Sequence, residues 1–165
     1  MSLKIERRPG GIFLLAGSID GGTDLTIMAA DAGPIIIDFG AVSMVNSRGV
    51  ARVLELAHAL HGRQVTYQRC VAPLVDAFMT VPAMLGRPPS VARISSLVVP
   101  YKCPRCYGVY EEALVEEKEL KLEGSTLTFP VKICSKCGLA MAVEDAVIND
   151  YDDLVASGAL KPRAA

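Results

Sequence analysis

Two rhythms of apolar residues alternate along the first hundred positions. Residues 12–16 and 35–39 are short apolar runs bounded by Gly, Pro and Asp, and 65–70 is a third; runs of this length predict buried strands. Between the second and third, Val50, Val53, Leu54, Ala57 and Leu60 recur at three-to-four spacing and leave Arg48, Arg52, Glu55 and Ala59 on the other side. That predicts an amphipathic helix stopped at Gly62, entered through a short loop after Phe39. Residues 72–79 repeat the logic, with Pro73 suited to a first helical turn and Pro82 placed to end or kink the helix. A short helix is also expected within 21–32, and residues 94–99 read as another strand. Alternation of this kind predicts an α/β sheet with crossover helices packed on it.

Past Pro100 the period shortens to two. Leu120 and Leu122 alternate with charges, Glu123-Gly124-Ser125 reads as a turn, and Leu127, Phe129, Val131 and Ile133 alternate again. A hairpin is expected over 120–133, with Pro130 on the opposite face of an edge strand. Val147, Ile148, Tyr151, Leu154 and Val155 then return to helical spacing up to Gly158, which predicts a C-terminal helix packed against the hairpin or the sheet. The chain accordingly divides into 1–99, 100–143 and 144–165. No Gly/Ser linker separates these parts, so they are expected to pack together. No internal repeat or low-complexity tract is visible.

Composition narrows the picture. A length of 165 residues gives room for one ordinary domain plus a small appendage or for two small domains. With 51% hydrophobic but 5% aromatic residues, the expected core is aliphatic. A formal net charge of −1 predicts no global attraction to nucleic acid or acidic membranes. Charge is uneven, however: residues 1–100 hold nine Lys/Arg against seven Asp/Glu, and 101–165 hold eight against eleven. Mean hydropathy is positive, yet Asp24, Asp31 and Asp38 interrupt the apolar stretches before any reaches the roughly 18 residues of a membrane span. The charged first eleven residues lack an apolar core of the secretory type, so a soluble cytoplasmic protein is expected. In that compartment disulfides are uncommon and paired cysteines more often hold metal.

Four of the five cysteines form two pairs, Cys103-Pro-Arg-Cys106 and Cys134-Ser-Lys-Cys137, separated by 27 residues. Each Cys-x-x-Cys can fold into a knuckle presenting two thiolates, and two knuckles complete a tetrahedron. Cys103, Cys106, Cys134 and Cys137 are therefore the expected ligands of a structural zinc in a unit resembling a zinc ribbon. A filled shell of four thiolates leaves no position for a catalytic water. Iron is the alternative metal. A redox role is disfavoured, because that chemistry uses one such motif at a helix start rather than two bracketing a hairpin. Glu111, Glu112, Glu116, Glu117, Glu119 and Glu123 read as a solvated face that would repel phosphates, which argues against nucleic acid and for protein binding.

Asn46-Ser47 stands just before the amphipathic helix. Either residue is a favoured N-cap, and a phosphate on Ser47 would also sit well at a helix N-terminus. Residues 15–20, 35–39, 46–49 and 65–70, followed by 72–85, taken in this order resemble the landmarks of a STAS domain, the fold of bacterial anti-sigma factor antagonists. The resemblance spans roughly residues 3–99. It implies a mixed sheet flanked by helices and partner switching with a serine kinase-type anti-sigma factor. It also implies Ser47 as the phosphoacceptor, with Asp20, Asn46, Arg48 and Arg52 around the partner surface. Asn46 stands where the family usually has Asp, and Arg48 where it has a small residue; Asn still caps, and Arg48 could pair with a phosphate.

No Gly-rich phosphate loop, nucleophile elbow or HExxH motif is present, and no carboxylate pair suggests catalysis. The expectation is a non-enzymatic regulatory module switched at Ser47. The alternatives are a constitutive scaffold or subunit, and a small-ligand or nucleotide binder using the loops around Asp20 and Asp38. A homodimer stays open. His58 and His61 read as surface or boundary residues, Cys70 as a small buried hydrophobe, and Met79 and Met84 as core filler.

Overall fold

In the computed structural model, which describes residues 2–88, 90–106, 108, 110–124 and 126–164, the expected strands form and several outrun the apolar runs that predicted them. Strand β1 (Lys4–Arg8) pairs antiparallel with β2 (Ile12–Ile19). Strands β3 (Ile35–Val45), β4 (Val65–Gln68) and β5 (Arg93–Ile94) then add in parallel, giving the order β1-β2-β3-β4-β5. Each parallel step needs a crossover. A 3-10 helix (Thr26–Ala30) crosses from β2, α1 (Ser47–Ala59) from β3, and α2 (Ala72–Thr80) with a second 3-10 turn (Pro82–Leu85) from β4. The molecule is a mixed α/β protein with a mixed sheet and three α-helices among the described residues.

The loop expected after Phe39 is instead strand. β2 and β3 stay paired as far as Ile19 and Val45, with two register shifts at which β3 carries one extra residue, the first where Phe39 and Gly40 lie opposite Leu15 and the second at Ser43. The short helix expected within 21–32 is reduced to the single 3-10 segment. On α1 the buried face is Gly49, Val53, Leu56 and Ala57; Leu56, absent from the expected stripe, is fully buried. Although the core is mostly aliphatic, an aromatic trio stands in it. Tyr67 meets Phe39 edge-on at 5.2 Å and stacks on Phe78 of α2 at 5.7 Å, arrangements that add to simple burial.

Strand β6 (Ser96–Lys102) continues from β5 with one residue between, and its first half is held to the main sheet through Cys70. The Cys70 N–H donates to Ser96 O at 3.1 Å and the Val98 N–H to Cys70 O at 2.9 Å. Pro100 lies inside this strand. β6 pairs antiparallel with β7 (Tyr110–Glu116), a strand the sequence pattern did not reveal because its alternate positions carry Glu111 against Glu112 rather than apolar against polar. Val115 is its fully buried residue.

The expected 120–133 hairpin is shorter than its pattern. β8 (Lys121–Glu123) and β9 (Thr126–Thr128) pair around a turn at Gly124, and Ser125 of the expected turn lies outside the described residues. Phe129, Val131 and Ile133 do not share one strand. The chain breaks at Pro130, which has no N–H for a ladder, and β10 (Lys132–Ile133) pairs instead with β11 (Ala140–Met141). Helix α3 (Asp145–Ala156) follows, and Gly158 takes φ 78° just beyond it. It packs on α2 and β9, with Tyr151 and Leu154 fully buried. The tail then returns to the sheet: Ile94 N–H donates to Ala159 O at 2.7 Å, and β12 (Arg163–Ala164) lies parallel to β8. One buried cluster therefore runs from Leu3 to Leu160. Among the described residues no helix is long and apolar enough to cross a membrane.

Candidate functional site

The carboxyl end of β3 delivers Asn46 in an extended conformation, φ −96° and ψ 175°. Its Oδ1 accepts the Gly49 N–H at 2.8 Å, and its own N–H donates to Ile19 O at 3.2 Å. Gly49 is packed so closely on the end of β2 that a Cβ there would stand 2.0 Å from Ile19 O. These contacts seat the start of α1 against the β2–β3 edge. Asn46 is thus the N-cap and Ser47 is the first helical residue. Ser47 is exposed, and among the described residues no hydrogen bond involves its hydroxyl.

Two open clefts flank this helix mouth. One, of about 680 Å³, is lined by Asp20, Gly21, Gly22, Asn46, Arg48 and Arg52 among others. The second, of about 430 Å³, lies between α1 and α2 and is mostly apolar, with Val45, Val50, Pro73, Ala77 and Val81 beside Ser47. In the first, the Gly22 N–H donates to Asp20 Oδ1 at 2.7 Å, Arg52 Nε donates to Gly21 O at 3.3 Å, and Arg52 pairs with Glu55 at 2.8 Å. Arg48 is exposed and forms no ion pair among the described residues. The structure therefore gathers Asp20, Asn46, Ser47, Arg48 and Arg52 around one helix start.

Asp38 does not join them. It is buried within β3, and both its oxygens accept from Arg69 Nε, at 2.8 and 2.9 Å, while Oδ1 also takes the Gly40 N–H. Arg69 has φ 49°, and its N–H is held by Ser96 Oγ at 2.9 Å. Asp38 is committed to this pair rather than presented on a ligand loop.

The four paired cysteines converge at the far end of β6. Cys103 and Cys106 turn the β6–β7 hairpin, and Cys134 and Cys137 turn the β10–β11 hairpin. Their sulfur atoms all lie within 4.8 Å of one another, with Cys103 and Cys137 at 3.5 Å. A tetrahedron with about 2.3 Å metal–sulfur bonds has edges of about 3.8 Å, so the cluster is compatible with a bound metal ion. Cys103 and Cys134 are buried, Cys106 and Cys137 half-buried. The Cys106 N–H donates to Cys103 Sγ at 3.3 Å, and this backbone bond is the main reason the Cys103 thiol drops to about 7. A thiol prepared in this way deprotonates readily on metal binding. Cys70 is a separate, fully buried residue; burial first and the Asp38 charge second push its thiol upward, leaving it inert.

Two of the six glutamates expected on a solvated face have other roles. Glu117 is buried, pairs with Arg93 and accepts the Lys161 N–H at 2.8 Å, fastening the tail. Glu111 accepts from both the N–H and the hydroxyl of Ser135, inside the second cysteine pair. Neither contact had a periodic signal in the sequence. His58 and His61 are exposed at the end of α1. No family model matches the chain, no curated protein matches its sequence, and no solved structure matches its fold.

Proposed function

We propose that the chain is a non-enzymatic regulatory module that docks a protein partner around Ser47 and is switched by phosphorylation there. The observation that carries this reading is the division of labour at the α1 mouth: Asn46 already caps the helix, so the exposed Ser47 hydroxyl is free to take a phosphate. A phosphate in the first helical turn would meet free N–H groups and the favourable end of the helix dipole, with Arg48 next to it as a pairing cation. It would add about −1.5 to −2 charges between the two clefts without uncapping α1. The resemblance of residues 3–99 to STAS domains supports an anti-sigma factor of the serine-kinase type as the partner and transcription as the regulated process. Cys103, Cys106, Cys134 and Cys137 would hold a structural zinc in a ribbon-like unit; when bound, the ion supplies folding energy and no reactive site.

The test compares proteins captured from native lysate by wild type and by Ser47→Asp, read by mass spectrometry. An ATP-binding anti-sigma kinase retained by wild type and lost by Ser47→Asp is expected, with phosphate incorporation abolished in Ser47→Ala. Identical partner sets would overturn the switch and leave a constitutive scaffold.

A further inference from the structure

We infer that Glu111 is the positioning residue of the cysteine centre, pinning the second Cys-x-x-Cys loop to the strand that leaves the first, so that the four sulfurs are gathered before a metal arrives. This rests on reading the four cysteines as ligands. The second pair needs outside support, because β10 and β11 pair over only two residues each, too short a ladder to hold its own register.

Support comes from β6 and β7. Tyr101 and Glu111 face each other across that pair, so their side chains emerge on the same side of the hairpin. The Tyr101 hydroxyl donates to Pro130 O at 2.9 Å. Five residues further along the same arm, Glu111 Oε1 accepts the Ser135 hydroxyl at 2.6 Å and the Ser135 N–H at 3.1 Å. Between them Lys132 Nζ donates to Glu112 O at 3.1 Å and lies 3.8 Å from Glu111 Oε2. The arm leading into Cys134 is thus held at residues 130, 132 and 135. Its return strand is held by Lys102 and Ala142, which exchange backbone bonds of 2.8 and 3.1 Å.

Within this clasp Glu111 is the contact that reaches inside the knuckle. Two donors of one residue converging on one oxygen fix both the backbone and the side chain of Ser135, and with them the direction in which the neighbouring Cys134 presents its sulfur. The grip needs an acceptor, not a charge. Gln supplies the same acceptor oxygen; Ala supplies none.

The full-length protein is loaded with zinc, and transfer to a chromogenic chelator is timed; a cobalt-loaded sample reports geometry through its visible absorption. Outer contacts that orient metal ligands typically change metal affinity 10- to 100-fold. Glu111→Ala is expected to release zinc about tenfold or more faster than wild type, and Glu111→Gln to stay within about threefold, because it keeps both hydrogen bonds. The exposed Ser135→Ala, which loses one of the two donors, should fall between them. The tetrahedral cobalt bands should persist in wild type and Glu111→Gln and weaken in Glu111→Ala. Wild-type release rate and cobalt spectrum in Glu111→Ala would overturn the positioning role. Failure of wild type itself to bind zinc or cobalt would instead overturn the ligand reading on which it rests.

Discussion

Asn46 and Ser47 are neighbours with separate tasks. Asn46 satisfies the Gly49 N–H, whereas Ser47 is exposed and its hydroxyl has no partner among the described residues. Replacing a cap of this type by Ala costs about 1 kcal/mol. Asn46→Ala is therefore expected to lower unfolding stability by about that amount, and Ser47→Ala to stay within about 0.5 kcal/mol of wild type, as an exposed substitution should. Denaturant titration of the two variants checks this; equal losses would make Ser47 a second cap. The cap was legible as a pair of candidates, because Ser and Asn are both good caps and only backbone geometry decides which precedes the first helical residue. The Asp38–Arg69 pair was not legible at all, since its members are 31 residues apart and no local rhythm joins them.

At the level of elements, helices were read more accurately than strands. A helix writes its buried face within a few residues of itself, so α1, α2 and α3 could be located from spacing alone. Strands depend on what lies beside them. β3 runs six residues past its apolar run because β2 pairs with it there, and β7 forms against β6 despite its charged sequence. Helices α2 and α3 meet with Asp76 and Asp150 near each other, and burial, followed by the Asp150 charge, raises the Asp76 carboxyl above its usual range. A raised carboxyl means that the folded state holds the proton more tightly than the unfolded chain, so stability is lost as pH rises through this range. Asp76→Asn should accordingly melt higher than wild type near pH 7, with the difference shrinking as pH falls toward the carboxylate range. Melting curves of both proteins across pH test the sign; a constant difference would assign the effect to packing instead.

Over the whole molecule, the cysteine cluster is continuous with the sheet rather than appended to it. β6 runs from its contact with Cys70 to Cys103 without interruption, and the tail after α3 returns to bond Ile94, Glu117 and β8. With one buried cluster throughout, unfolding is expected as a single cooperative transition. On the proposal that the four cysteines hold a metal ion, stripping it with a chelator should shift that transition as a unit, by on the order of 10 °C, since a ligand at 100 to 1,000 times its Kd contributes about 3 to 4 kcal/mol. Calorimetry with and without chelator checks this. Two separate transitions, of which only one responds, would mean that the cysteine end folds independently of the sheet.

What the sequence by itself determined is what local chemistry writes: three helices, the central strands, the two cap candidates at α1, and two cysteine pairs spaced for a shared ion. Each helix, strand, cap and single Cys-x-x-Cys depends on residues within a turn or a short run of one another, and the two cysteine pairs are matched by their motif rather than by proximity in sequence. Only the tertiary structure decided that Glu111 reaches Ser135, that Glu117 is buried against Arg93, that Asp38 is spent on Arg69, and that Asp20, Asn46, Arg48 and Arg52 line one cleft while Ser47 lines the neighbouring one. A charged side chain has the same identity whether solvated or paired; its role is set by which distant donor the fold places within hydrogen-bonding distance and by how much water is left around it.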